Sequence, residues 1–257
     1  MLVLAAVLSA AIGLVLGLLG GGGSILMLPL LVHVVRLEAR PAIASSLLVV
    51  GVTSLIGAAA HARAGRVRYG IGVVFGAGAM AGAYLGGRLA RWVPDQVLLA
   101  LFAVLMLVTA AAMLRRPAAP VRSPRGPSVA GSLGLGACVG VVAGLVGAGG
   151  GFLIVPALVL VGGLEMPEAV GTSLLVIALQ SGAGLAGQLA HTQIELPLLA
   201  VLGSCAVLGT LVGTWLSRRL RPVALRRAFA WLVLAVGVLF LGDVLRRVLS
   251  GLGGHPR

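Results

Sequence analysis

A glycine-rich stretch that occurs twice constrains this chain more than any other feature. One copy reads Gly13-Leu-Val-Leu-Gly17-Leu-Leu-Gly20-Gly-Gly-Gly23-Ser24-Ile-Leu-Met-Leu-Pro29, the other Gly140-Val-Val-Ala-Gly144-Leu-Val-Gly147-Ala-Gly-Gly150-Gly151-Phe-Leu-Ile-Val-Pro156. Matched positions are 127 residues apart with no gap. Consecutive glycines are a poor helix interior, each costing about 1 kcal/mol relative to alanine. In a bilayer the backbone groups they free cannot face lipid. Each break therefore predicts backbone that is buried in protein or lines a cavity. Two breaks at equivalent places in a duplicated chain predict a transporter binding site.

Composition supports the membrane premise. The 257 residues are 60% hydrophobic and 10% charged, with a mean hydropathy of +1.15, which indicates a polytopic membrane protein rather than a soluble domain. The net charge is +13, but the basic residues lie between apolar runs, where they set orientation. No soluble basic domain is present to bind nucleic acid. All nineteen basic side chains are arginine. The lack of lysine excludes a Walker A loop, a Schiff base and a lysine nucleophile. Cys138 and Cys205 lie in apolar runs and read as small buried packing residues. Met1 leads directly into an apolar run with no basic n-region, which reads as a first membrane segment rather than a cleaved signal.

Apolar segments fall at 2–19, 24–35, 41–60, 69–90 and 96–114, then at 129–147, 151–162, 168–190, 196–217 and 224–245. Between the two sets runs the basic, proline-rich linker Arg115-Arg-Pro-Ala-Ala-Pro-Val-Arg122-Ser-Pro-Arg125-Gly-Pro127. The duplication continues past the glycines. Leu37-Glu38 matches Leu164-Glu165, Ser46 matches Ser173, Ser54 matches Ser181, and Gly82 and Gly86 match Gly209 and Gly213. The expected organisation is repeat 1 over 1–114, a cytoplasmic linker over 115–128 and repeat 2 over 129–257.

Arginine counting bears on how the glycine stretch folds. Segments 24–35 and 151–162 are too short to span. If each pairs with its predecessor as a hairpin, the loops near 61–68, 115–127 and 218–227 share a face holding twelve arginines, against seven on the other. If each pair makes one crossing, the split is ten against nine. The positive-inside rule favours the hairpin, with the linker cytoplasmic and both termini outside. The fold class is then an all-α polytopic membrane protein of two inverted structural repeats. Each repeat is a short broken or re-entrant helical hairpin plus three transmembrane helices.

The spaced glycines Gly78, Gly82 and Gly86, Gly209 and Gly213, and Gly136, Gly140 and Gly144 read as close helix packing. The consecutive ones differ, because spaced glycines would suffice for packing. Gly20, Gly21, Gly22, Gly23 and Ser24, and Gly147, Ala148, Gly149, Gly150 and Gly151, imply unwound turns whose N–H groups can meet an anion. Ser45-Ser46 and Thr172-Ser173, with Ser54 and Ser181 two turns on, are candidate hydroxyl donors, set against ordinary back-bonding to their own helices. Pro41 and Pro167 fit helix starts. Glu38 and Glu165 fit favourable charge at a helix N-terminus, and His61 and His191 fit interface residues. Whether any of these four serves proton coupling stays open. No H-E-x-x-H occurs, Asp95 and Asp243 stand alone, and a Ser181–His191 dyad lacks glycine at the −2 position, where Leu179 stands. Nothing here indicates an enzyme or a cofactor.

Gly17-Leu-Leu-Gly-Gly-Gly-Gly-Ser24 leading to Pro29, Ala44-Ser-Ser-Leu-Leu48 and His61-Ala-Arg-Ala-Gly65-Arg-Val67 carry a resemblance, as do Gly144-Leu-Val-Gly-Ala-Gly-Gly-Gly151 leading to Pro156 and Gly171-Thr-Ser-Leu-Leu175. Together they resemble the sulfite exporter TauE/SafE family of bacterial membrane transporters, over nearly the whole chain. The resemblance implies movement of small sulfur-containing anions across the inner membrane. One departure is that Thr192 stands where the first half has Gly65, so the His-x-x-x-Gly pattern is not duplicated. The expected function is a multi-pass secondary transporter of a small anion, a sulfur oxyanion or organosulfonate, acting by alternating access. Its partners are that anion and the bilayer; a coupling proton or ion and a homo-oligomer stay open. The rival is a passive anion channel or a non-transporting membrane scaffold.

Overall fold

The duplicated breaks sort the computed structural model into two sets of helices. It describes residues 2–90, 92, 95–115, 129–146, 151–188 and 196–253. Among these there are ten α-helices and no strand. The first half holds α1 (Leu2–Leu19), α2 (Ser24–Pro29), α3 (Ala39–Ala62), α4 (Tyr69–Ala90) and α5 (Asp95–Arg115). The second holds α6 (Val129–Val146), α7 (Gly151–Leu160), α8 (Met166–Gln188), α9 (Leu196–Arg219) and α10 (Pro222–Gly253). Five of them, α3, α4, α8, α9 and α10, contain stretches long and apolar enough to cross a membrane. α10 runs beyond the apolar segment that suggested it, to Gly253, because Arg246 and Arg247 end an apolar run without ending a helix.

The glycine break forms where expected. α1 makes its last turn with Gly20 N–H on Leu16 O (2.8 Å), and Gly20 takes φ 80, a conformation open chiefly to glycine. Gly21–Gly23 make one 3₁₀ turn. The backbone at Gly23 then lies against Ile12 and Leu16, so the chain doubles back along α1. Pro29 has no N–H to continue the ladder, and a π-turn follows over Leu30–Val34.

Both halves end this return in the same way. Leu37 N–H bonds Leu31 O and Leu164 N–H bonds Leu158 O, each at 3.0 Å. The residue before each leucine is left-handed, Arg36 at φ 63 and Gly163 at φ 67. The next helices then open with Ala42 N–H on Glu38 O and Ala169 N–H on Glu165 O. Pro41 and Pro167 lie in their first turns.

The helices of the two halves interleave. α1 packs along α9, and α4 along α6. Glycines let the backbones touch: a Cβ on Gly13, Gly17, Gly209 or Gly213 would strike the carbonyl of Ala206, Thr210, Ala10 or Leu14. The α4–α6 seam repeats this, with Gly140, Gly82 and Gly86 against Ala79, Ala137 and Val141. Where Gly136 lies on the Phe75 carbonyl, its counterpart Ser9 donates from Oγ to Leu202 O (2.8 Å). α3 and α8 cross in antiparallel register, Gly57 on Leu174, Gly51 on Ser181 and Gly184 on Leu47. α5 packs on α10. The packing reading of the spaced glycines holds for Gly78, Gly82, Gly86, Gly136, Gly140, Gly209 and Gly213. That of the cysteines does not: Cys138 is exposed and Cys205 only half-buried.

Candidate functional site

The first break meets the second half at two points. A Cβ on Gly21 would strike the Gly151 carbonyl, and one on Gly151 would stand 2.5 Å from Ser24 Oγ. A Cβ on Gly20 would stand 2.5 Å from Ser173 Oγ and 3.0 Å from Val155. The turn Gly21-Gly22-Gly23 therefore sits against the start of α7 and the polar opening of α8, a fit open only to residues without side chains. Gly151 and the following seven residues of α7 are buried. Its first N–H groups lack helical partners by construction and carry the positive end of the dipole. Gly147, Ala148, Gly149 and Gly150 lie outside the described residues, as do His191 and linker positions 116–128.

The hydroxyls are less free than their sequence positions suggest. Ser24 Oγ donates to Gly21 O, Ser46 Oγ to Ile43 O and Ser173 Oγ to Val170 O, all at 2.8 Å. Their oxygens can still accept, but their protons are spent on their own backbone. Ser45 is buried at the same helix opening. Buried Thr172 accepts at Oγ1 from the Arg68 backbone N–H (3.0 Å). Ser54 Oγ is buried with no hydrogen-bond partner. Ser181 lines an apolar cavity of about 250 Å³ between α3 and α8, with Leu47, Gly51, Val52 and Leu179 among its walls.

One end of the bundle gathers arginines. The loop after α3 reaches α9 through Arg66 Nη1 on Ser217 O (3.4 Å), and Arg218 Nη2 reaches back to Ala60 O (2.6 Å). Arg226 Nε donates to Met113 O (2.7 Å), joining the start of α10 to the end of α5. These bonds bring the loop after α3 to the end of α9 and the end of α5 to the start of α10, while linker positions 116–128 lie outside the described residues. Fully buried His61 sets Nε2 3.2 Å from Gly17 O, and its Nδ1 has no partner. Sequence reasoning missed the Arg68–Glu168 ion pair (2.7 Å). Glu168 has Pro41 as its repeat counterpart, so duplication gave no signal for it.

The profile of the family described as Sulfite exporter TauE/SafE matches residues 5–240. The chain belongs to that family. A relative from Xylella fastidiosa strain Temecula1, named "Probable membrane transporter protein", is 34% identical over 239 residues, covering 88% of this chain and 90% of that one. "Probable membrane transporter protein YdhB" of Bacillus subtilis strain 168 is 27% identical over 235 residues, 90% of this chain and 96% of its own. No solved structure matches the chain. These TauE/SafE relatives are named as membrane transporters, and this member, with five described helices long and apolar enough to cross a membrane, is membrane-embedded.

Proposed function

We propose that this TauE/SafE member is a secondary transporter of a small anion, a sulfur oxyanion or organosulfonate, working across a bacterial inner membrane by alternating access. The observation that carries the proposal is the seating of the Gly20–Gly21 break against Gly151 of α7 and Ser173 of α8. It sets the first duplicated motif against Gly151, the last glycine of the second, and we read the backbone N–H groups around this contact as the anion's donors. Because the serine protons are engaged locally, the amides of Gly21–Gly23 and of the α7 start carry more of the binding than the hydroxyls. Ser24, Ser45 and Ser46 shape the pocket around them.

The halves 1–114 and 129–257 act as inverted repeats about this point, joined by the 115–128 linker on the cytoplasmic side. Support comes from direction: α3 runs antiparallel to its counterpart α8, and each first helix runs along the fourth helix of the other half in matching register. Interhelical contact through glycine and carbonyl leaves smooth surfaces on which the halves can rock. The Arg68–Glu168 pair and the Arg68–Thr172 bond tie the halves at the arginine-rich end, and we read this tie as the gate. The test is uptake of labelled sulfite, thiosulfate and methanesulfonate into proteoliposomes under imposed pH and potential gradients. Saturable uptake that follows a gradient is expected for at least one of them. No flux of any sulfur anion under any gradient contradicts the proposal.

A further inference from the structure

We infer that Arg66 and Arg218 form an oxyanion-binding site at the mouth of the arginine-rich end, where the anion is received before it reaches the glycine turns. The inference rests on the anion-transport reading and adds a second site to it. The argument starts from what the other arginines nearby are doing. Arg68 is paired with Glu168, Arg219 lies 3.9 Å over the Trp215 ring, and Arg226 is held on the Met113 carbonyl. Arg66 and Arg218 have no carboxylate partner among the described residues. Each makes one side-chain hydrogen bond to a main-chain carbonyl, that of Arg66 long at 3.4 Å. A guanidinium offers five N–H donors in a fork that matches an oxyanion, so most of their capacity is unspent.

The two cations are also brought together rather than spread apart. Arg66 bonds Ser217, the residue before Arg218, while Arg218 bonds Ala60, the residue before His61, whose carbonyl takes the Arg66 N–H (3.1 Å). Burial pulls the Arg66 pKa below its ordinary value, and the nearby Arg218 lowers it further. Two cations this close without a carboxylate between them repel each other, and a bound anion offsets that repulsion. The place is also on the way in. Gly17 O, three residues before the Gly20 turn, is reached by His61 Nε2 (3.2 Å) and Thr214 Oγ1 (3.5 Å) from the same cluster. The counterparts of Arg66 and Arg218 are Gln193 and Arg91, so the pair is not duplicated. The site belongs to one face of the membrane, and a small tetrahedral or pyramidal oxyanion of charge −2 fits its chemistry best.

The test is calorimetric titration of sulfate, and separately of sulfite, into the purified full-length protein in detergent at fixed ionic strength. The variants are R66Q, R218Q and R66Q/R218Q, with R66K/R218K to retain charge and R227Q to remove an exposed arginine from the same end. Affinity is expected to fall at least about tenfold in the double glutamine variant, as for loss of charge-assisted bonds. It should recover in part with lysine and stay unchanged in R227Q. Unchanged affinity in R66Q/R218Q, or an equal loss in R227Q, overturns the site. Size-exclusion profiles show that each variant folds, and if R66Q/R218Q alone does not, the single variants decide. Arginine-dependent binding without flux would leave this site standing and remove the transport reading. Saturable flux with binding indifferent to both arginines would do the reverse.

Discussion

At the scale of the residue, the protein depends on side chains it lacks. Nine glycines along the two long seams place Cα hydrogens on the carbonyls of a facing helix, where each weak contact is available only at backbone-to-backbone distance. Gly82→Leu and Gly209→Leu are equivalent by repeat, and both force a side chain into a carbonyl. Overpacking of this kind costs typically about 1–3 kcal/mol, more where the obstacle is backbone, so both should lose the monodisperse peak in detergent size exclusion. Gly134, whose Cβ position is open, is the matched control. Gly134→Ala should keep that peak and gain up to about 1 kcal/mol through helix propensity. Equal behaviour of all three would contradict the seam account.

At the scale of the element, the loop after α3 joins one half to the other by side-chain bonds at the arginine-rich end. Arg68 uses its side chain on Glu168 and its backbone N–H on Thr172, the neighbour of Ser173 at the glycine turn. In the proposed reading, the gate and the anion site share adjacent residues of α8, Thr172 and Ser173. The ion pair is largely exposed on the Arg68 side, and such pairs add at most about 1 kcal/mol to stability. Glu168→Gln should leave thermal stability nearly unchanged while making the arginine-rich end open more readily. In a Cys138→Ala, Cys205→Ala background, Ser173→Cys should react faster with a water-soluble maleimide once Glu168→Gln is added. An unchanged labelling rate would show that the pair is not a gate. Helix positions were legible in sequence because apolar runs, proline at helix starts and glycine breaks are local signals, and all ten helices fall on the expected segments. This loop was not legible, since Arg68 meets Glu168 across 100 residues and neither position is duplicated.

At the scale of the molecule, interleaving makes the halves dependent on each other. α1 finds its partner in α9 and α4 in α6, so neither half buries its own glycine seams. Residues 1–114 expressed alone should aggregate or be degraded, and co-expression with 129–257 should restore a monodisperse complex; a folded isolated half would contradict this. Sequence spacing located the first glycine turn, which sits against Gly151, while the second, at 147–150, lies outside the described residues. It could not show that the serine protons are bonded to their own helices, because Ser46 and Ser173 bond carbonyls three residues back whether or not a ligand is near. The central claim is that one anion pocket is presented alternately to the two faces. Counterflow tests it most directly: proteoliposomes loaded with unlabelled substrate are diluted into a trace of labelled substrate with no other gradient. A carrier exchanges one for the other, so labelled anion should accumulate transiently above its equilibrium level. Label that enters only to equilibrium, at a rate indifferent to the internal load, would contradict alternating access and indicate a passive pore.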